Sequence, residues 1–227
     1  MPDPVPNAEL LRSLGRLVRG LSALFWGLPT ALLVCFYTAR AEGLKFFGII
    51  PPMAAIALLI YALWLIGAFQ PQERIWRNAL DRSRILAMVT FGLSPFLYWW
   101  YRVPGQPFFA LMVLILALVA VLFLASLNLL LRRLGAMLPD ETLRLEIRQF
   151  TGLNLNLLAT TALLTLVYLV LSRFSTLPLF LQELLLVLDR GSFWLLVLLI
   201  LLPLAMTMAL LWKTKEVIFE SVFHSKV

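Results

Sequence analysis

Residues 138 to 154, LPDETLRLEIRQFTGLN, gather Asp140, Glu141 and Glu146 with Arg144 and Arg148 into a chain that is otherwise nearly all hydrocarbon. Carboxylates at that density could serve as a general acid and base, and the arginines could hold an anion. The spacing argues against catalysis. Asp140 and Glu141 are adjacent and so diverge by about 100° on a helix, Glu146 points elsewhere again, and Glu141 with Arg144 makes an ordinary surface pair. Glu183 and Asp189 could bind a cation but read better as solvated charges. Cys35 is the only cysteine and His224 the only histidine, so a CxxC pair, a Cys/His zinc site and Ser-His-Asp chemistry inside the membrane are all disfavoured by count. We expect no enzyme here and no cofactor.

A second cluster is neutral. Ser126 and Asn128 lie near the end of one apolar run, while Asn154, Asn156, Thr160, Thr161 and Thr165 lie in the first half of the next. Consecutive antiparallel helices bring these ends together, so Asn128 can hydrogen-bond Asn154 or Asn156, with Thr161 in the same interhelical polar cluster. Such bonds hold helices together at about 1 kcal/mol each; a polar binding pocket is the alternative.

The elements that carry both clusters follow from composition. Of 227 residues 62% are hydrophobic and only 14% charged, and the mean hydropathy is +0.93. This describes an integral membrane protein, because every backbone amide in lipid must be satisfied within its own helix over about 20 apolar residues. Six spans are read at 21–38, 46–68, 86–101, 108–131, 153–172 and 192–212. The third ends in Tyr98, Trp99, Trp100 and Tyr101, suited to the headgroup boundary, before Gly105 and Pro107 break the chain. The fold expected is all-α, a single membrane domain over 1–227. Three hairpins (21–68, 86–131 and 153–212) each follow an amphipathic interfacial helix (1–20, 69–85 and 132–152), and a tail of 213–227 closes the chain. Pro29 and Pro203 should kink their helices, while Pro51 and Pro52 fall in a first turn and cost little. Residues 177–191 read as a re-entrant or in-plane segment.

The central portions of the six spans carry no ionisable residue. Pumps, proton-coupled carriers and intramembrane hydrolases normally need one, so those classes fall away. The net charge of +7 does not mark nucleic-acid binding, because the basic residues sit in short loops. One side of the membrane holds Arg12, Arg16, Arg19, Arg74, Arg77, Arg82, Arg84, Arg132, Arg133, Arg144, Arg148, Lys213, Lys215 and Lys226; the other holds only Arg40, Lys45, Arg102, Arg173 and Arg190. The asymmetry places both termini in the cytoplasm, in a cytoplasmic (inner) membrane. Ala39, Arg40 and Ala41 resemble a signal-peptidase site, but the preceding segments run long, so the first span reads as retained.

Each cytoplasmic segment has a helical apolar stripe: Leu10, Leu11, Leu14, Leu17 and Val18; Ile75, Trp76, Ala79 and Leu80; Leu143, Ile147 and Phe150. Their arginines, Arg12, Arg16, Arg19, Arg74, Arg77, Arg84, Arg144 and Arg148, are expected to contact anionic lipid headgroups or partner subunits. The segments also share a skeleton in which Glu9, Arg12 and Gly20 match Asp81, Arg84 and Gly92, and then Glu141, Arg144 and Gly152, at identical spacing. A threefold internal repeat is therefore a candidate, although the copies are unequally separated. The leading functional expectation is a non-catalytic scaffold or accessory subunit of a larger membrane complex, or a homo-oligomer. The alternative is a permease or channel for a neutral or lipid-like solute passing through the hairpin interfaces.

Overall fold

The structure is a computed structural model, and it describes residues 6–40, 47–70, 72–137, 141–171 and 199–219. Among the described residues every regular element is a helix. These are α1 (Pro6–Arg40), α2 (Ile50–Ile66), α3 (Arg74–Leu93), α4 (Pro95–Arg102), α5 (Pro107–Met137), α6 (Glu141–Leu171) and a seventh stretch, α7, over 199–219. Arg12–Arg40, Pro107–Met137 and Arg144–Val167 are long and apolar enough to cross a membrane, and α2 is a shorter apolar helix. The surface agrees with lipid surroundings: Trp26, Leu33, Tyr61, Trp64, Leu122 and Leu163 are all more than half exposed, which would be an aggregation liability in water.

The core follows the helical repeat. Leu17, Leu21, Leu24, Leu28 and Ala31 line the buried side of α1, against Ala55, Leu59, Ala62, Leu63 and Ile66 of α2. Gly20 lets the two backbones close up, since a Cβ there would lie 2.6 Å from Ile66 Cγ1 and 2.9 Å from the Ala62 carbonyl oxygen. Helix α3 packs on α2 and α5, α4 on α1 and α5, and α5 on α6. Trp76 is fully buried at the α2–α3 turn, where its Nε1 donates to the Phe69 carbonyl at 3.0 Å.

The lead-in segments differ from expectation. Residues 6–20 and the apolar run after them form one unbroken helix, and so do 141–152 and theirs. The described stripe residues divide: Leu17, Trp76, Leu80 and Ile147 are buried in the common core, whereas Ile75 and Phe150 are exposed. The same 3.6-residue period suits either neighbour, lipid or helix, so the sequence pattern does not choose between them. At 35 residues and 1.5 Å per residue, α1 is about 52 Å long. That exceeds a hydrocarbon layer of roughly 30 Å, so the one helix is long enough to hold both the basic turns and the apolar run.

In the expected span at 86–101 the break falls at Ser94. Pro95 lacks an N–H, which deprives the Phe91 carbonyl of its helical donor, and the Ser94 hydroxyl supplies one at 2.8 Å. Helix α3 carries its charges in its first three turns and is apolar from Ile85 onward. Residues 177–191 lie outside the described residues, as do Pro139 and Asp140. The repeat marks have unequal surroundings. Gly20 is packed, whereas a Cβ at Gly92 or Gly152 would meet nothing within 4 Å.

Candidate functional site

The polar cluster forms where α5, α6 and α7 meet. Asn154 Nδ2 donates to Asn128 Oδ1 at 3.0 Å, to the Pro203 carbonyl at 3.1 Å and to Thr207 Oγ1 at 3.0 Å. Two of these three neighbours can only accept, which fixes the nitrogen rather than the oxygen of Asn154 toward them. Asn128 Nδ2 donates to the Leu124 carbonyl at 2.8 Å and to Thr207 Oγ1 at 2.9 Å, and Thr207 Oγ1 donates to the Pro203 carbonyl at 2.8 Å. All three side chains are fully buried. Two polar atoms on α6, Asn154 Oδ1 and Thr151 Oγ1, have no partner among the described residues.

Of the expected members, Asn128 and Asn154 meet and Asn156 does not. Asn156 lies two residues from Asn154, about 200° around the helix, and faces outward. Thr161 is buried two turns further along from Asn154, where its hydroxyl donates to the Leu157 carbonyl and, at 3.4 Å, to the Leu199 carbonyl. Pro203 deprives Leu199 of its helical donor, so a threonine of the neighbouring helix supplies a replacement. Thr207, the hub of the cluster, was not singled out by the sequence reading. Its signal is its position four residues after Pro203, where a hydroxyl can reach back to the proline carbonyl.

Beyond this cluster a cavity of about 450 Å³ opens between the helices. Leu28, Cys35, Phe36 and Ala39 of α1 face Ala117, Ala120 and Phe123 of α5 across it. Leu59 of α2, Leu97 of α4, Leu158 of α6 and Leu204 of α7 complete much of the wall. Thr90, Thr161 and Thr165 also line it, and each hydroxyl donates to a carbonyl four residues earlier in its own helix. The wall therefore offers hydrocarbon and a few acceptor lone pairs. No family model, curated protein or solved structure matches this chain. Its function has to be read from this geometry.

One end of the cavity adjoins the polar cluster. Asn128, Asn154 and Thr207 sit about one helical turn past Leu124, Leu158 and Leu204, and beyond them Leu127, Leu130, Leu131 and Leu134 pack with Leu17, Leu21 and Leu24. Along α1 the lining runs from Leu28 to Ala39 and along α5 from Val113 to Leu124. At 1.5 Å per residue either run gives a depth of about 16 Å. The other end of the cavity lies where α1 finishes at Arg40 and α4 at Arg102.

Most expected contact arginines are exposed: Arg12, Arg16, Arg19, Arg74, Arg77, Arg144 and Arg148. Arg84 departs from that expectation. Its guanidinium lies 5.1 Å from the Trp64 ring centre, donates to the Leu63 carbonyl at 3.3 Å and pairs with Asp81 at 3.3 Å, leaving the side chain 21% exposed. It caps the C-terminus of α2, where a cation also answers the helix dipole. Lys213 of α7 pairs with Glu146 of α6 and so ties the two helices together.

Proposed function

We propose that this chain crosses a cell membrane six times, as three hairpins, and holds the hydrocarbon chain of a lipid-like solute in the cavity between them. The cavity is the observation that carries the reading. At about 450 Å³ it falls within the range of small-ligand sites and suits one acyl or isoprenoid chain. Its wall gives such a chain dispersion contacts along its length, and it gives a charged solute nothing to replace its hydration. Handling of the solute, by storage, presentation or passage, needs no catalytic group. Passage would require both the Asn128, Asn154 and Thr207 cluster and the leucine core beyond it to repack, so storage or presentation fits the packing better. The basic bias of the Arg12, Arg74, Arg132, Arg144 and Lys213 end supports a cytoplasmic location for both termini in an inner membrane.

The experiment is native mass spectrometry of the protein extracted in mild detergent. A retained lipid-like mass on the wild type, lost in Ala117→Trp and Ala120→Trp, supports the reading. Equal retention in the cavity-filled variants sinks it.

A role as accessory subunit or homo-oligomer is favoured by a different observation. Gly152, Asn156 and Thr160 form an exposed row at four-residue spacing on α6. A small residue beside an outward amide is the kind of surface that helices in membranes pair through. Under this reading, Asn156→Leu releases a stoichiometric partner or a second copy on mild extraction, while an unchanged assembly excludes that face.

A further inference from the structure

We infer that the solute held in the cavity is a lipid alcohol, its chain against the hydrocarbon wall and its hydroxyl donating to the Leu199 carbonyl. This rests on the cavity reading above and adds the polar end of the solute and the point where it docks.

The wall carries an acceptor short of a donor. In a helix the Leu199 carbonyl would accept from the backbone N–H four residues on, and that residue is Pro203, which has none. The substitute that Thr161 offers is partial. Its hydroxyl has a single proton and lies 2.8 Å from the Leu157 carbonyl but 3.4 Å from that of Leu199, and the shorter contact takes the proton. Leu199 and Thr161 both line the cavity, so the under-served oxygen stands at the wall where the two residues meet. An amide carbonyl without a donor in hydrocarbon is costly, which makes it the place where a solute gains most from a hydrogen bond.

The other polar groups make the same selection. Among the described lining residues these are Thr90, Thr165 and the weakly donating thiol of Cys35. The Thr90 hydroxyl donates to the Leu86 carbonyl and that of Thr165 to the Thr161 carbonyl, each at 2.8 Å, so both have only lone pairs left to offer. A solute with an O–H therefore finds partners, whereas an ester, an ether or a phosphate brings only more acceptors. An ammonium meets no carboxylate among the described lining residues. A phospholipid chain can fill the slot but offers nothing to the Leu199 carbonyl. The hydroxyl enters first. Thr161 lies three residues past Leu158, which adjoins the polar cluster, and the wall continues from there along Thr165 and, on α1, to Phe36 and Ala39. The chain thus runs back toward the end where α1 and α4 finish.

The test uses the whole protein, delipidated in mild detergent and given equimolar cetyl alcohol and cetyl methyl ether, with native mass spectrometry to read which is retained. The two share a chain and an oxygen and differ in the donated proton. The wild type should retain the alcohol about fivefold over the ether, the effect of one net hydrogen bond. Pro203→Ala returns a backbone N–H to the Leu199 carbonyl while keeping the carbonyl that Asn154 and Thr207 use, and should bring the two to equal retention. Thr161→Val takes away the partial donor and should keep the preference. Retention of both by the wild type without preference overturns the alcohol and leaves the chain site standing. A preference that persists in Pro203→Ala, or is lost in Thr161→Val, overturns the Leu199 carbonyl as the partner. Retention of neither overturns this inference together with the cavity reading.

Discussion

Replacing Asn154 with leucine tests the buried cluster most sharply, because both the gains and the losses can be followed. The substitution removes three hydrogen bonds donated by one amide, to Asn128 Oδ1, the Pro203 carbonyl and Thr207 Oγ1. The Pro203 carbonyl keeps its bond from Thr207, and Thr207 keeps its bond from Asn128. One new orphan is made at Asn128 Oδ1, and one existing orphan, Asn154 Oδ1, disappears with the side chain. Those two terms are of the same kind and roughly cancel, which leaves the bonds of the two N–H groups, shared among three acceptors. At the roughly 0.6 kcal/mol averaged for such bonds between membrane helices, the loss is about 1 kcal/mol. Asn128→Leu should cost somewhat less, since the Leu124 carbonyl it also serves sits within a helix. A cycle with both single variants and the double isolates the direct 3.0 Å bond, with an expected coupling of about 0.6 and at most about 1.7 kcal/mol. Reversible unfolding in mixed micelles titrated with dodecyl sulfate, followed by tryptophan fluorescence, reads all four stabilities. Two single variants as stable as the wild type, or a coupling of zero, would refute the reasoning.

Further predictions follow from the same packing. Thr151→Val deletes an unpartnered, fully buried hydroxyl and should leave stability unchanged or raise it by up to about 1 kcal/mol, whereas Thr207→Val removes the cluster's hub and should cost about 2 kcal/mol, both read in the same titration. Gly20→Ala puts a Cβ against the Ala62 backbone oxygen, which cannot move aside, so a loss of about 1–3 kcal/mol is expected; Gly15→Ala, with open space around it, should gain up to about 1 kcal/mol from helix propensity. Trp76→Phe forfeits the bond to the Phe69 carbonyl and should cost about 1–3 kcal/mol, and Trp76→Ala about 3–5 kcal/mol with a visible change in tryptophan emission. Ser94→Ala strips the hydroxyl that serves the Phe91 carbonyl beside Pro95 and leaves it the Ser94 N–H at 3.3 Å, so a loss of up to about 1 kcal/mol is expected in thermal unfolding; an unchanged midpoint would contradict a contribution from the hydroxyl.

The helical class and the apolar runs were legible because backbone satisfaction in lipid permits little else. The meeting of Asn128 and Asn154 was legible too, since consecutive antiparallel runs place their ends at one depth. The exclusion of Asn156 was available from the 200° angle between it and Asn154, which weighs more than sequence proximity. The unbroken course of α1 and α6 was not legible. A drop in hydropathy near residue 20 or 152 marks where lipid ends, yet helical hydrogen bonds continue across it. The inward turn of Arg84 depends on room at Gly67 and on the carbonyl of Leu63, both contributed by another helix. The cavity was likewise hidden, because a void is a property of how seven helix surfaces meet. No single run of residues encodes it.

The central claim is that a hydrocarbon chain fills the space beside Cys35. The native protein carries one cysteine, and it faces that space, so labelling needs no engineered probe. Delipidated protein should react with a hydrophobic maleimide such as N-pyrenylmaleimide and far less with a charged one, and both phospholipid addition and the Ala117→Trp substitution should suppress the reaction. Equal labelling by the hydrophobic reagent with and without lipid, and in Ala117→Trp, would contradict the account.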